Sequence, residues 1–133
     1  MERNGNMKRK CMECALNNTP ESVHVVNIRS ALTGRAYYET HKLAAPRPFT
    51  RKALHIFLHE CAHFVLHVRG RKKRYIQEYE AEQWAFQRMK EARIPIPDDS
   101  VKRAKQYVSR KIGQAYSRGL LHADEKIKGW AST

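Results

Sequence analysis

The chain is poor in cysteine, in acidic residues and in uninterrupted apolar runs, and each shortage narrows what it can be. Its three cysteines, Cys11, Cys14 and Cys61, cannot all pair, and Cys61 falls inside a stretch that reads as a buried helix. A disulfide scaffold is therefore excluded and a reducing compartment expected. The longest apolar stretch, residues 53–68, is broken by four histidines and a glutamate. It is too short and too polar for a membrane span, so no membrane partner is expected. The basic start, residues 1–10, is not followed by the apolar segment of a secretory signal. Together these features lead to the expectation of a cytoplasmic protein. Only 13 acidic residues face 26 Lys and Arg, a net charge of +13 with histidine neutral. Such a field attracts polyanions, which makes nucleic acid or a DNA-bound protein a candidate partner.

What is present is the composition of one soluble domain with a modest core: 133 residues, 41% hydrophobic and 29% charged. Residues 1–20 are polar and turn-rich, with Asn4-Gly5-Asn6 and Asn17-Asn18-Thr19-Pro20. They are expected to be a flexible basic segment ahead of a single domain over 21–133. Val23, Val25, Val26 and Ile28 predict a strand over 22–28. After a turn at Leu32-Thr33-Gly34, residues 35–40 with Tyr37 and Tyr38 predict its returning partner. Pro46 and Pro48 then predict a break.

Thr50 reads as the N-cap of a helix reaching about Val68, apolar on nearly every side and hence buried. Gly70 and the basic residues Arg69, Arg71, Lys72, Lys73 and Arg74 end it. A second helix is expected over about 76–93, stopped by Pro95 and Pro97. Asp98-Asp99-Ser100 offers an acidic cap for a third helix, to about Ser117, and residues 123–130 predict a last short one. The sum is an α+β fold with a small sheet or hairpin followed by three or four helices.

The chemistry enters at His59-Glu60-Cys61-Ala62-His63. Residues four apart lie about one turn apart on the same helix face, so both imidazoles can grip one ion. Glu60 stands about 100° round the axis, where it can serve as general base. Zinc acidifies a coordinated water, and a carboxylate can take its proton during attack on a peptide carbonyl. In a chain with seven histidines the bare pattern is moderate evidence. Its setting in an apolar helix strengthens it, because burying these groups is costly unless something binds them. His55 and His67 continue the same i+4 stripe without framing a glutamate. A tetrahedral catalytic zinc needs a third protein ligand, and Glu78-Tyr79-Glu80-Ala81-Glu82 on the next helix supplies candidates. Glu78 and Glu82 share a face there, while Glu80 points elsewhere.

At these two segments the chain resembles the ImmA/IrrE family of small zinc metallopeptidases. His59 to His67 is similar to the family's H-E-x-x-H with its apolar continuation and further histidine. Glu78 to Ala85 is similar to its E-x-E-A-x-x-F-A helix, with Glu82 and Trp84 departing from the usual residues. The resemblance covers about residues 50–93. It implies a minimal zincin-like domain of the gluzincin type, with an active-site helix followed by a helix that carries the glutamate ligand. It also implies Zn2+ held by His59, His63 and Glu80, with Glu60 as catalytic base, and hydrolysis of a peptide bond in an intracellular protein such as a DNA-bound regulator. His67, Tyr75 and Tyr79 are near enough in sequence to assist the transition state, and all three stay open.

Two further features compete for meaning. Cys11-Met12-Glu13-Cys14 has metal-ligand spacing, but only His24 or His41 could complete a site, so free thiols in a mobile tail are expected. The downstream P-C-x-x-C of a zinc deaminase is absent. The basic loop Arg69, Arg71, Lys72, Lys73, Arg74 and the helix bearing Lys102, Lys105 and Arg110 support an alternative function. That alternative is a nucleic-acid-binding module with a structural or degenerate zinc site.

Overall fold

In a computed structural model of the chain, described over residues 2–28 and 32–133, five helices combine with a three-stranded sheet. The order is α1 Glu2–Asn18, β1 His24–Ile28, β2 Arg35–Tyr37, β3 Lys42–Pro46, α2 Arg51–Leu66, α3 Arg74–Glu91, α4 Asp98–Ser117 and α5 Glu125–Ala131. The expected α+β class is the one observed.

The sheet differs from the expected hairpin. Its order is β1-β3-β2, with β1 parallel to β3 and β2 antiparallel to it. The true hairpin is β2–β3, closed by a turn in which His41 takes a left-handed φ of 49°. The strand missed in the sequence is thus the central one. Pro46 does not prevent it, because it occupies the last strand position, opposite Ile28 and beyond the residues paired with β2, so the strand is an edge there on one side. Leu43, Ala44 and Ala45 are buried, and two alanines in succession let α2 approach the sheet closely.

Residues 2–18 form a helix rather than the flexible segment expected. Met7, Cys11, Cys14 and Ala15 recur at helical spacing. Cys11, Cys14 and Ala15 are buried against Leu54, Phe57, Leu58, Cys61 and Met89 in the main core. Thr19 Oγ1 donates to Ala15 O at 2.6 Å, and Asn18 Nδ2 donates to Cys14 O at 2.8 Å, closing the helix end. The cysteines are free thiols but belong to the core, not to a mobile tail. Burial raises the pKa of Cys11 and Cys14 and pushes that of Cys61 up to about 12. Since the thiolate is the reacting species, all three should alkylate with iodoacetamide at least about 100-fold more slowly in the native protein than in urea. Mass spectrometry of timed samples checks this.

Helix α2 starts as expected, with Thr50 Oγ1 accepting from Ala53 N at 3.1 Å. It packs against α3, β3 and α1, which buries residues from Ala53 to His63. Burial is not all-round to the end, because Val65 and Leu66 in the last turn and Val68 beyond it are exposed. Helix α4 begins after Pro97, so Asp98 and Asp99 fall in its first turn rather than at the cap. There they complement the positive end of the helix dipole, and Asp99 pairs with Lys52 at 3.1 Å. A second core of Tyr75, Val108, Ile112, Ala123 and Ile127 ties α3, α4 and α5 together. No helix among the described residues is long and apolar enough to cross a membrane.

Candidate metal centre

Helices α2 and α3 pack along one another, and the facing sides of both carry charge. Glu78, Glu82 and Glu60 are all buried, as are His55, His59, His63 and His67. So dense a set of buried ionisable groups must be compensated by partners or by an ion.

At its centre Glu78 Oε1 lies 2.9 Å from His59 Nε2 and 2.8 Å from His63 Nε2, and the two ring nitrogens are 3.2 Å apart. These three atoms form a converging triangle able to hold a metal ion. Zinc bonds of about 2.0–2.1 Å at tetrahedral angles separate ligand atoms by about 3.3 Å, so the triangle needs only slight opening to accept the ion. Two imidazoles and a carboxylate are also a donor set that zinc takes. The residues present fit the group.

The carboxylate in the converging cluster is that of Glu78; the expected ligand, Glu80, is not among these three residues. Glu78 and Glu82 are four residues apart and share the buried face of α3, whereas Glu80 lies about 200° away from Glu78. Glu80 instead accepts from His67 Nε2 at 2.9 Å and from Lys72 Nζ at 2.6 Å.

The surrounding hydrogen bonds orient both histidines. With His59 Nε2 turned to the point of convergence, its Nδ1–H donates to Glu82 Oε1 at 2.9 Å, which also accepts from His55 Nε2 at 2.7 Å. His55 is fixed by stacking on Phe86, with ring centroids 4.7 Å apart. Likewise His63 Nδ1–H donates to His67 Nδ1 at 3.0 Å, and His67 Nε2–H donates to Glu80. With an ion taking the two Nε2 lone pairs these tautomers are mutually consistent; without one, the same Nε2 atoms are placed to donate to Glu78 Oε1. Glu78 Oε2 is held by Arg74 Nε at 2.8 Å and by the Tyr107 hydroxyl at 3.3 Å. Of the two stripe histidines read from sequence without a framed glutamate, His67 is thus the outer partner of His63, while His55 reaches His59 only through Glu82.

Electrostatics follow the same division. Burial alone would raise Glu78, but hydrogen bonds and charge from His59 and His63 outweigh it and hold the carboxyl far below the usual range. Glu82 is likewise raised by burial, and His59 and His55 bring it down to about 2. Glu60 has no such partners. Burial pushes it up to about 7, opposed by His59 and reinforced by Glu78 and Glu82. Of the three buried carboxyls it is the one not engaged by an imidazole.

A cavity of about 260 Å³ reaches His59, Glu60 and Glu82. Gly34 forms part of its wall so closely that a Cβ there would lie 2.8 Å from Glu60 Cγ and 3.0 Å from Glu60 Oε2. From the other side α4 contributes Arg103, Tyr107 and Arg110.

The other expected site residues lie elsewhere. The Tyr75 hydroxyl accepts from Asp124 N at 2.9 Å in the second core, and Tyr79 packs edge-on against Trp130 at 5.3 Å. Of the basic loop, Lys72 and Arg74 are spent on Glu80 and Glu78, while Arg69, Arg71 and Lys73 are exposed without carboxylate partners among the described residues. Cys11 and Cys14 take no part in a metal cluster among the described residues. No protein-family model matches the chain, and neither a curated protein nor a solved structure does.

Proposed function

We propose that the chain is a zinc-dependent peptidase in which His59, His63 and Glu78 hold the ion and Glu60 is the general base. The observation that carries this reading is the convergence of two Nε2 atoms and one carboxylate oxygen within 3.2 Å, with an unengaged carboxyl on the residue between the histidines' turns and a cavity beside it. A zinc ion bound there supplies a Lewis acid that polarises the scissile carbonyl and acidifies the attacking water.

The chain's own residues do the rest. Glu60 takes the proton of the attacking water and returns it to the leaving amine, a role suited to a carboxyl raised towards neutrality. Gly34 sets its position, since any side chain there would displace it. Tyr107 lines the same cavity; by leaving Glu78 Oε2 its hydroxyl can donate to the developing oxyanion. Tyr75 and Tyr79, engaged in the second core, are not needed for that role. Glu82 and His67 keep the two ligating rings in the tautomer that presents Nε2.

The order of the two motifs supports placing the chain near the ImmA/IrrE metallopeptidases, with Glu78 taking the ligand role that position alone would give Glu80. On this reading the substrate is a protein met inside the cell, a DNA-bound regulator among the candidates, and the +13 charge assists the encounter.

Unfolded, carboxymethylated casein is a suitable first probe. Cleavage should stop with 1,10-phenanthroline and return with zinc; cleavage indifferent to the chelator would overturn the metal-dependent mechanism. Gly34→Ala should keep zinc content near wild type yet lower the cleavage rate by about tenfold or more, because small displacements of a reacting group are costly. Zinc analysis beside a rate assay checks this.

A further inference from the structure

The cavity beside Glu60 carries two arginines on its wall that neither metal binding nor general-base chemistry uses. Arg103, Tyr107 and Arg110 of α4 line it, and their i, i+4, i+7 spacing puts them on one helix face. Both arginines are exposed. Among the described residues neither lies within salt-bridge distance of a carboxylate, whereas Lys72 and Arg74 are paired. Arg103 donates to Leu32 O, which anchors it on the loop opposite. Arg110 lies over the Tyr107 ring, 5.6 Å from its centroid, a contact that stiffens a long side chain. Two positioned guanidinium groups without carboxylate partners among the described residues, at the mouth of a cavity that reaches the proposed base, are suited to recognising carboxylates.

Resting on the peptidase reading, we infer that this wall selects the substrate: a peptide with acidic side chains within a few residues of the scissile bond. The carboxylates of the substrate pair with Arg103 and Arg110 at the rim, while the bond itself lies at His59 and Glu60. A nucleic acid is the less suitable occupant. The cavity holds only about 260 Å³ and is lined by Glu60 and Glu82 as well as the arginines, so a backbone charged at every phosphate meets more repulsion there than a peptide whose few carboxylates stay at the rim.

The test uses the zinc-loaded protein with an equimolar library of synthetic decapeptides carrying acidic, neutral or basic residues at randomised positions, products being sequenced by mass spectrometry. Wild type should cut with acidic residues enriched within three positions of the cleaved bond, and the enrichment should weaken as salt is raised. Arg103→Gln/Arg110→Gln should lose the enrichment. Arg103→Glu/Arg110→Glu should lower kcat/KM for acidic peptides by about tenfold, mainly through KM, while neutral peptides are cut as before. Both variants change exposed helix positions, and their zinc content and circular dichroism confirm that they fold. Cleavage without acidic enrichment, or enrichment that survives the glutamate variant, overturns the inference and leaves the peptidase standing. Lost affinity for a single-stranded 20-mer DNA with an unchanged cleavage pattern assigns the arginines to nucleic acid and overturns it too. Zinc at one equivalent with no peptide cut overturns the peptidase reading, and this inference with it.

Discussion

Glu78→Ala is expected to lose the bound zinc, and Glu80→Ala to keep it. Glu78 Oε1 is one of three atoms that converge on a point, and its other oxygen is tied down by Arg74 and Tyr107. Truncating it leaves two imidazoles and the largely exposed Arg74 guanidinium without their acceptor. The affinity loss should exceed the roughly 10–100-fold typical of an outer hydrogen-bond partner and reach the order of 1,000-fold. Glu80 touches the centre only through His67 and is otherwise paired with exposed Lys72, so its removal should cost about 100-fold at most. Competition with a chromophoric chelator measures both. Equal losses in the two variants would mean that α3 presents a different face.

Glu60→Gln is expected to abolish hydrolysis while leaving zinc in place. The substitution keeps the shape of the side chain beside Gly34 but cannot accept a proton from water. Loss of a positioned general base typically costs about 100- to 10,000-fold. Glu60 is not one of the three residues that converge, so metal content should stay near wild type. The variant also separates the two functions weighed from the sequence. Salt-dependent DNA binding that survives Glu60→Gln, in a wild type that cuts no peptide, would favour the nucleic-acid-binding module.

The parts of the centre visible in the sequence are those written in local periodicity. His59, Glu60 and His63 stand on one turn of a helix whose cap, Thr50, and apolar spacing are both explicit. The third member of the cluster was half visible. The i+4 relation of Glu78 and Glu82 put those two on one face, while matching by position to the resembled family selected Glu80. The packing of α3 against α2 follows the face rather than the position. Helix α1 was hidden because its apolar stripe is short and two of its members are cysteines, which read more readily as ligands than as core. The central strand was hidden by Pro46, whose effect depends on where in the ladder it falls. Tyr107, Arg103 and Arg110 reach the cavity only through the docking of α4, a long-range event that no local spacing encodes.

The direct measurement of the metal centre is zinc K-edge X-ray absorption on the purified, zinc-loaded protein. His59, His63 and Glu78 predict about one zinc per chain with nitrogen and oxygen neighbours at about 2.0–2.1 Å, an imidazole multiple-scattering pattern of two rings, and no sulfur shell. Failure to retain zinc, or a sulfur shell at about 2.3 Å from Cys11, Cys14 or Cys61, would contradict it.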